Sequence, residues 1–112
     1  MLLSTQDKSF IWDMIDAGQD ILSFTEGIDY PYFAGNKMTR FAVERQLLVI
    51  GEAAYHISDQ CRTTHPTIPW KQIMGLRNII AHDYGEILAE KIWLVATQHI
   101  APLLDQLRLM GL

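Results

Sequence analysis

The sequence is short of the features that mark many specialised small proteins. It has one cysteine, Cys61, which can neither close an internal disulfide nor found a metal site. Its neighbours at helical spacing are apolar, so it reads as a small buried hydrophobe. Four prolines and seven glycines leave room for long regular elements. No apolar run approaches the roughly 20 residues that a membrane-spanning helix needs. The opening MLLSTQDKSF lacks the basic segment and long apolar stretch of a secretory leader, which predicts an uncleaved, cytoplasmic protein. Positive charge is scarce as well. Nine Lys and Arg stand against thirteen Asp and Glu, for a formal charge of −4. That balance argues against a protein that coats DNA or RNA, because phosphate neutralisation supplies much of the affinity in such proteins. It leaves open an enzyme that meets RNA through a small, local cationic cleft. Phosphate-cradling glycine loops, GxGxxG and H-E-x-x-H are all missing, and neither His65 nor His99 has metal-ligand spacing with another histidine or a carboxylate cluster, so no metal or cofactor is expected.

What is present is helical. Hydrophobic residues make up 49% and charged residues 20% of 112 residues, the balance of a globular protein, read here as one domain spanning 1–112. Ser4 can cap a first helix through Asp7, and Ile11, Met14, Gly18, Ile21 and Thr25 give it one apolar stripe, ending near Gly27. IDYPYFAGNK reads as an ordered connecting loop. The second helix is the clearest: Val43, Leu47, Ile50, Ala54, Ile57 and Cys61 form a heptad-like seam. Phe41, Leu48 and Tyr55 form a second apolar line, while Arg45, Glu52, His56 and Asp59 occupy the opposite face. RTTHPTIPW ends that helix, and a third is expected from about Pro69 to His82. A fourth should run from Glu86 to about Met110, kinked at Pro102, with Trp93, Ala96, Ile100, Leu103 and Leu107 as its apolar stripe. The expected fold class is therefore all-α, an antiparallel up-and-down bundle of four main helices.

The third helix carries the chemistry. Ile73, Leu76 and Ile80 share a stripe that must face the core. Asn78 and His82, four apart, lie only about 40° from each other and nearly opposite that stripe. Arg77 lies to the side, with a side chain long enough to swing toward the same surface. His82 sits at the negative end of the helix dipole with Asp83 beside it, and can exchange a proton with a hydroxyl or a leaving group. Arg77 can hold a phosphate and neutralise charge developing on it, and Asn78 can fix an orientation. This is equipment for cutting RNA without a metal, the ribose 2′-hydroxyl supplying the nucleophile. An exposed capping network at a helix end is the alternative that spacing alone leaves open.

RNIIAHDY resembles the R-x4-H-x-Y pattern of HEPN domains, and specifically the HepT-like toxin group. AVERQLLVIGEAAYHIS and HPTIPWKQIMGLRNIIAHDYGEI fit the same group in the same order. The resemblance covers roughly residues 7–108 and is most specific over 42–86. It implies a homodimeric helical bundle whose two motifs face one another across a cleft. It implies a metal-independent endoribonuclease acting on mRNA or tRNA, the toxin of a toxin–antitoxin pair. Carried over by position, Arg77 and His82 match the catalytic pair and Asn78 the polar residue that follows the arginine. Tyr84 matches the tyrosine to which a cognate minimal nucleotidyltransferase attaches AMP. Bulk and negative charge there would obstruct RNA at the cleft. Pairing two copies of Arg77 and His82 would make that cleft locally cationic although the chain is acidic. Phe41, Leu48 and Tyr55, or Tyr30, Tyr32 and Phe33, are candidates for the subunit contact. Glu52 and Arg45 are candidates to border the cleft, or else belong to a solvated helix face. The competing function is a non-catalytic module that binds a nucleotide or scaffolds a nucleotidyltransferase.

Overall fold

A computed structural model describes residues 3–112; Met1 and Leu2 lie outside the described residues. Among these, all regular structure is helical, as the periodicity requires. The first helix, α1, spans Thr5–Thr25, and the Ser4 hydroxyl caps it by accepting the Asp7 amide at 3.0 Å. Ile11, Met14, Gly18 and Ile21 face inward, and Gly27 closes the helix in the left-handed region at φ 73°.

The stretch expected as a loop contains a short helix, α2, Tyr30–Gly35. Asp29 caps it by accepting the Tyr32 amide at 3.0 Å, and a proline stands in its first turn. Of the residues read as loop punctuation, Pro31 thus stands in the first turn of a short helix, and Gly35 and Asn36 mark its end. Phe33 is fully buried against Trp93, with Tyr30 set edge-on to the same indole. Phe33 therefore belongs to this chain's own core and is unavailable as a subunit contact.

The expected second helix is two. Helix α3 spans Lys37–His56 and α4 spans Asp59–Thr64. Val43, Leu47, Ile50, Ala54, Ile57 and Cys61 are all buried, so the seam persists across the break. The break has a physical cause. Buried Asp7 accepts the Ser58 amide at 2.9 Å and its hydroxyl at 2.6 Å, while the same hydroxyl caps α4 through the Cys61 amide. Ser58 is thereby drawn out of helical geometry. Asp59 leaves the polar face of α3 and pairs with Arg62. Arg62 Nη1 also donates to the carbonyls of Ala54, Tyr55 and Ile57, satisfying acceptors that the end of α3 leaves open.

Helix α5, Trp70–His82, begins just after Pro69 and buries Ile73 and Leu76, with Ile79 and Ile80 half-buried beside them. It packs along α3. Gly51 permits this approach, since a Cβ there would stand 3.2 Å from both the Ile73 carbonyl oxygen and Arg77 Cγ.

The last arm is divided as well: α6 spans Gly85–Leu94 and α7 spans Ile100–Arg108, joined by a π-turn at Val95–His99. A disturbance was expected at Pro102, and it lies one turn earlier. The proline ring crowds the carbonyl four residues before it, and the wider π-turn around Gln98 takes up that crowding. Helix α7 crosses α1 at Gly18, where a Cβ would come 2.6 Å from Leu104 Cδ2. In place of four main helices, the described chain folds as seven α-helical segments and one π-turn.

Candidate active site

Arg77 leaves the exposed side of α5 and turns toward α3. Its Nε lies 2.7 Å from Glu52 Oε1, and its Cζ stands 4.9 Å from the centre of the Tyr55 ring. Glu52 and Tyr55 are three apart on α3 and so share a face of that helix. Arg77 is half-buried at 39% side-chain exposure, and Glu52 is rather more open. The second oxygen of Glu52 lies 4.0 Å from His56 Nε2. The imidazole of His56 stacks on Phe10 of α1, with ring centres 5.4 Å apart. A row of polar and aromatic groups thus crosses the outer side of α3, from α1 to the arginine of α5.

Asn78 and His82 are exposed on α5, the histidine being its last residue. Neither side chain makes a hydrogen bond or ion pair among the described residues. Arg77 and His82, five residues apart, are separated by about 140° around the helix. Within one chain the guanidinium goes to Glu52 and Tyr55, and the imidazole is left facing solvent at the helix end. Asp83, expected to bear on His82, instead pairs with Lys91 at 2.6 Å. Tyr84 is 82% exposed and stands just before α6. Gly85 follows it in the left-handed region at φ 63°, a turn that separates Tyr84 from the helix body. Arg45 lines a shallow cavity of about 210 Å³ with Phe10, Glu52 and His56, and Arg77 is not part of that lining.

Two residues that sequence reasoning did not assign to this site are central to it. Gly51 sets the distance between the helices, and Tyr55 covers the guanidinium. Gly51 had a signal, a glycine inside a strongly periodic helix. Tyr55 had none, because its place in the Phe41–Leu48–Tyr55 line reads as a second apolar face and a candidate subunit contact.

An all-helical chain with R-x4-H-x-Y at the end of one helix, its arginine held by a glutamate from the neighbouring helix, defines a small helical protein of HEPN type. The chain belongs to the family described as Ribonuclease HepT-like, whose model matches residues 14–110. It is similar to "Putative RNase MJ1380" of Methanocaldococcus jannaschii, 40% identical over 93 residues that cover 83% of this chain and 85% of that protein. It is also similar to "Probable ribonuclease HepT" of Thermococcus cleftensis, 32% identical over 96 residues that cover 86% and 87% of the two chains. No solved structure matches it. No helix among the described residues is long and apolar enough to cross a membrane.

Proposed function

We propose that the chain is a metal-independent endoribonuclease that cuts mRNA or tRNA, with Arg77, His82 and Asn78 at its catalytic centre. The observation that carries this reading is the placement of Arg77. Only its Nε is engaged by Glu52, and its terminal nitrogens have no partner among the described residues, at the open edge of the helix that ends in His82. Arg77 binds the scissile phosphate and offsets charge developing on its oxygens. The 2′-hydroxyl of the preceding ribose attacks phosphorus, and the bond to the 5′-oxygen breaks. A 2′,3′-cyclic phosphate and a free 5′-hydroxyl result. His82 exchanges the proton between these oxygens, and Asn78, one turn earlier on the same side of α5, orients the phosphate. The nucleophile comes from the RNA itself, so the cycle needs no metal-activated water.

The regulatory half of the reading concerns Tyr84. Its exposed phenol, set off from the helix by Gly85, is open to a modifying enzyme. AMP attached there by a cognate minimal nucleotidyltransferase places a phosphate beside the RNA path and repels substrate. The protein is then the toxin of a toxin–antitoxin pair. A homodimer brings two copies of the α5 motif into one cleft, and the exposed Phe41 with the half-buried Leu48 offers an apolar contact for it.

The test is induced expression of the wild type beside Arg77→Ala and His82→Ala, with growth and total-RNA integrity followed together. Growth arrest and RNA fragmentation by the wild type alone, with both variants folded, support the reading. Three indistinguishable proteins would sink it in favour of a nucleotide-binding or scaffold module.

A further inference from the structure

We propose that Tyr55 and Glu52 act together as positioning residues for Arg77, fixing its guanidinium so that the edge bearing the two terminal nitrogens meets the RNA phosphate. This rests on the reading of Arg77 as the phosphate-binding group, in which Tyr55 has no assigned part.

A guanidinium is planar, with one face to stack and distinct edges to bond. Glu52 holds the Nε side at 2.7 Å, and the Tyr55 ring lies against the group with Cζ 4.9 Å from its centre. The ion pair and the ring contact together limit how far the guanidinium can swing away from α3. The two terminal nitrogens, unpartnered among the described residues, remain to pair with phosphate oxygens. An arginine on a bare helix surface would lose its rotamer freedom only on meeting substrate, whereas this one has lost much of it beforehand.

Tyr55 is itself held. Its main-chain carbonyl accepts from Arg62 Nη1 at 3.3 Å, and its ring stands edge-on to His56, 5.5 Å between centres. Core packing does not account for the residue, which is 56% exposed. Its ring meets the Arg77 guanidinium and the His56 imidazole. Gly51, one residue before Glu52, lets the Arg77 stem pass close to α3 and puts the guanidinium within reach of both partners.

The experiment uses the full chain and a short single-stranded RNA carrying a fluorophore and a quencher. Tyr55→Phe keeps the ring and should retain wild-type cleavage within about twofold. Tyr55→Leu should lower kcat about tenfold, with KM changed less than twofold, because the lost positioning acts on the transition state. Glu52→Ala should fall in the same way. A rise in KM at unchanged kcat would mean that Tyr55 touches RNA itself. A Tyr55→Leu protein smaller than the wild type by light scattering would make Tyr55 a subunit contact. Either result overturns the clamp, as does a Tyr55→Phe protein as weak as Tyr55→Leu. A second readout does not depend on cleavage. The Arg77 Nε–H resonance, assigned by its loss in Arg77→Lys, should be sharp in the wild type and shifted and broadened in Tyr55→Leu. An unchanged resonance overturns the clamp even if no RNA is cut, while an inactive wild type with the expected resonance overturns only the ribonuclease reading.

Discussion

Arg77 pairs with Glu52 through Nε, and its terminal nitrogens have no partner among the described residues; the consequences at the residue scale follow from that division. Removing it should lower cleavage about 10²- to 10³-fold, the loss typical of a group that stabilises charge in a transition state. The thermal midpoint should barely move, since an exposed ion pair adds little stability, and a melting curve beside the rate assay checks both. Tyr84→Phe removes only a hydroxyl that bonds to nothing else in the described chain. It should leave cleavage intact and abolish AMP attachment, read as intact mass after incubation with the nucleotidyltransferase and ATP. Arg77, Asn78 and His82 lie on α5 and Tyr84 just beyond it, all within eight consecutive residues, so this grouping was legible in the sequence. The pairing of Arg77 with Glu52 and Tyr55 was not. It depends on how far α5 slides along α3, and no periodicity within either helix encodes that register.

At the scale of elements, glycines decide where helices touch. A methyl at Gly18 would meet Leu104, whose side chain is fully buried and has little room to turn. Overpacking of this kind costs about 1–3 kcal/mol, partly offset by the roughly 1 kcal/mol that alanine contributes to a helix interior. Gly18→Ala should therefore lower the urea midpoint, and an unchanged midpoint would show that Leu104 yields. At Gly51 the crowded atoms are a main-chain oxygen and the Arg77 stem, at a milder 3.2 Å. There the propensity gain should cancel most of the strain, so that Gly51→Ala melts close to the wild type while its kcat falls severalfold through displaced Arg77.

The positions of α1, α5 and the apolar seam of α3 were readable from spacing, and the interruptions were not. Ser58 looks like any polar residue in a helix until Asp7, far away in sequence, claims its amide and hydroxyl. The proline, glycine and asparagine of IDYPYFAGNK were read as marking a loop, and they instead stand at the start and end of α2, which Asp29 caps. The packing of Phe33 against Trp93 is what makes that short turn worth forming, and it too joins distant parts of the chain.

Across the whole molecule, Asp7 ties the first turn of α1 to the junction of α3 and α4. Burial acts to raise its carboxyl, but the Ser58 hydroxyl and amide, Ser4 and the charge of Arg62 together bring it below the ordinary 3.8. Folding thus favours the carboxylate. Its contribution is complete above the ordinary value and is lost as pH falls through the lower folded one. Asp7→Asn should destabilise the protein by about 1–3 kcal/mol at pH 7, because one Ser58 donor loses its acceptor. The gap between variant and wild type should narrow steadily below about pH 4. Urea titrations at pH 7 and pH 3 measure it, and a gap that stays constant would rule out the carboxylate as its source.

The π-turn at Val95–His99 has a consequence for chain length. Such a turn holds one residue more than the α-helix it interrupts, so α6 and α7 are joined with a spare position between them. Deleting Thr97, which is exposed, would remove that spare position while α7 kept its seating on α1, at the cost of setting Pro102 back against the Gln98 carbonyl. The same deletion at Ala89 or Leu103 would rotate buried side chains out of the core by about 100°. Single-residue insertions and deletions among chains of this fold should therefore collect at this turn.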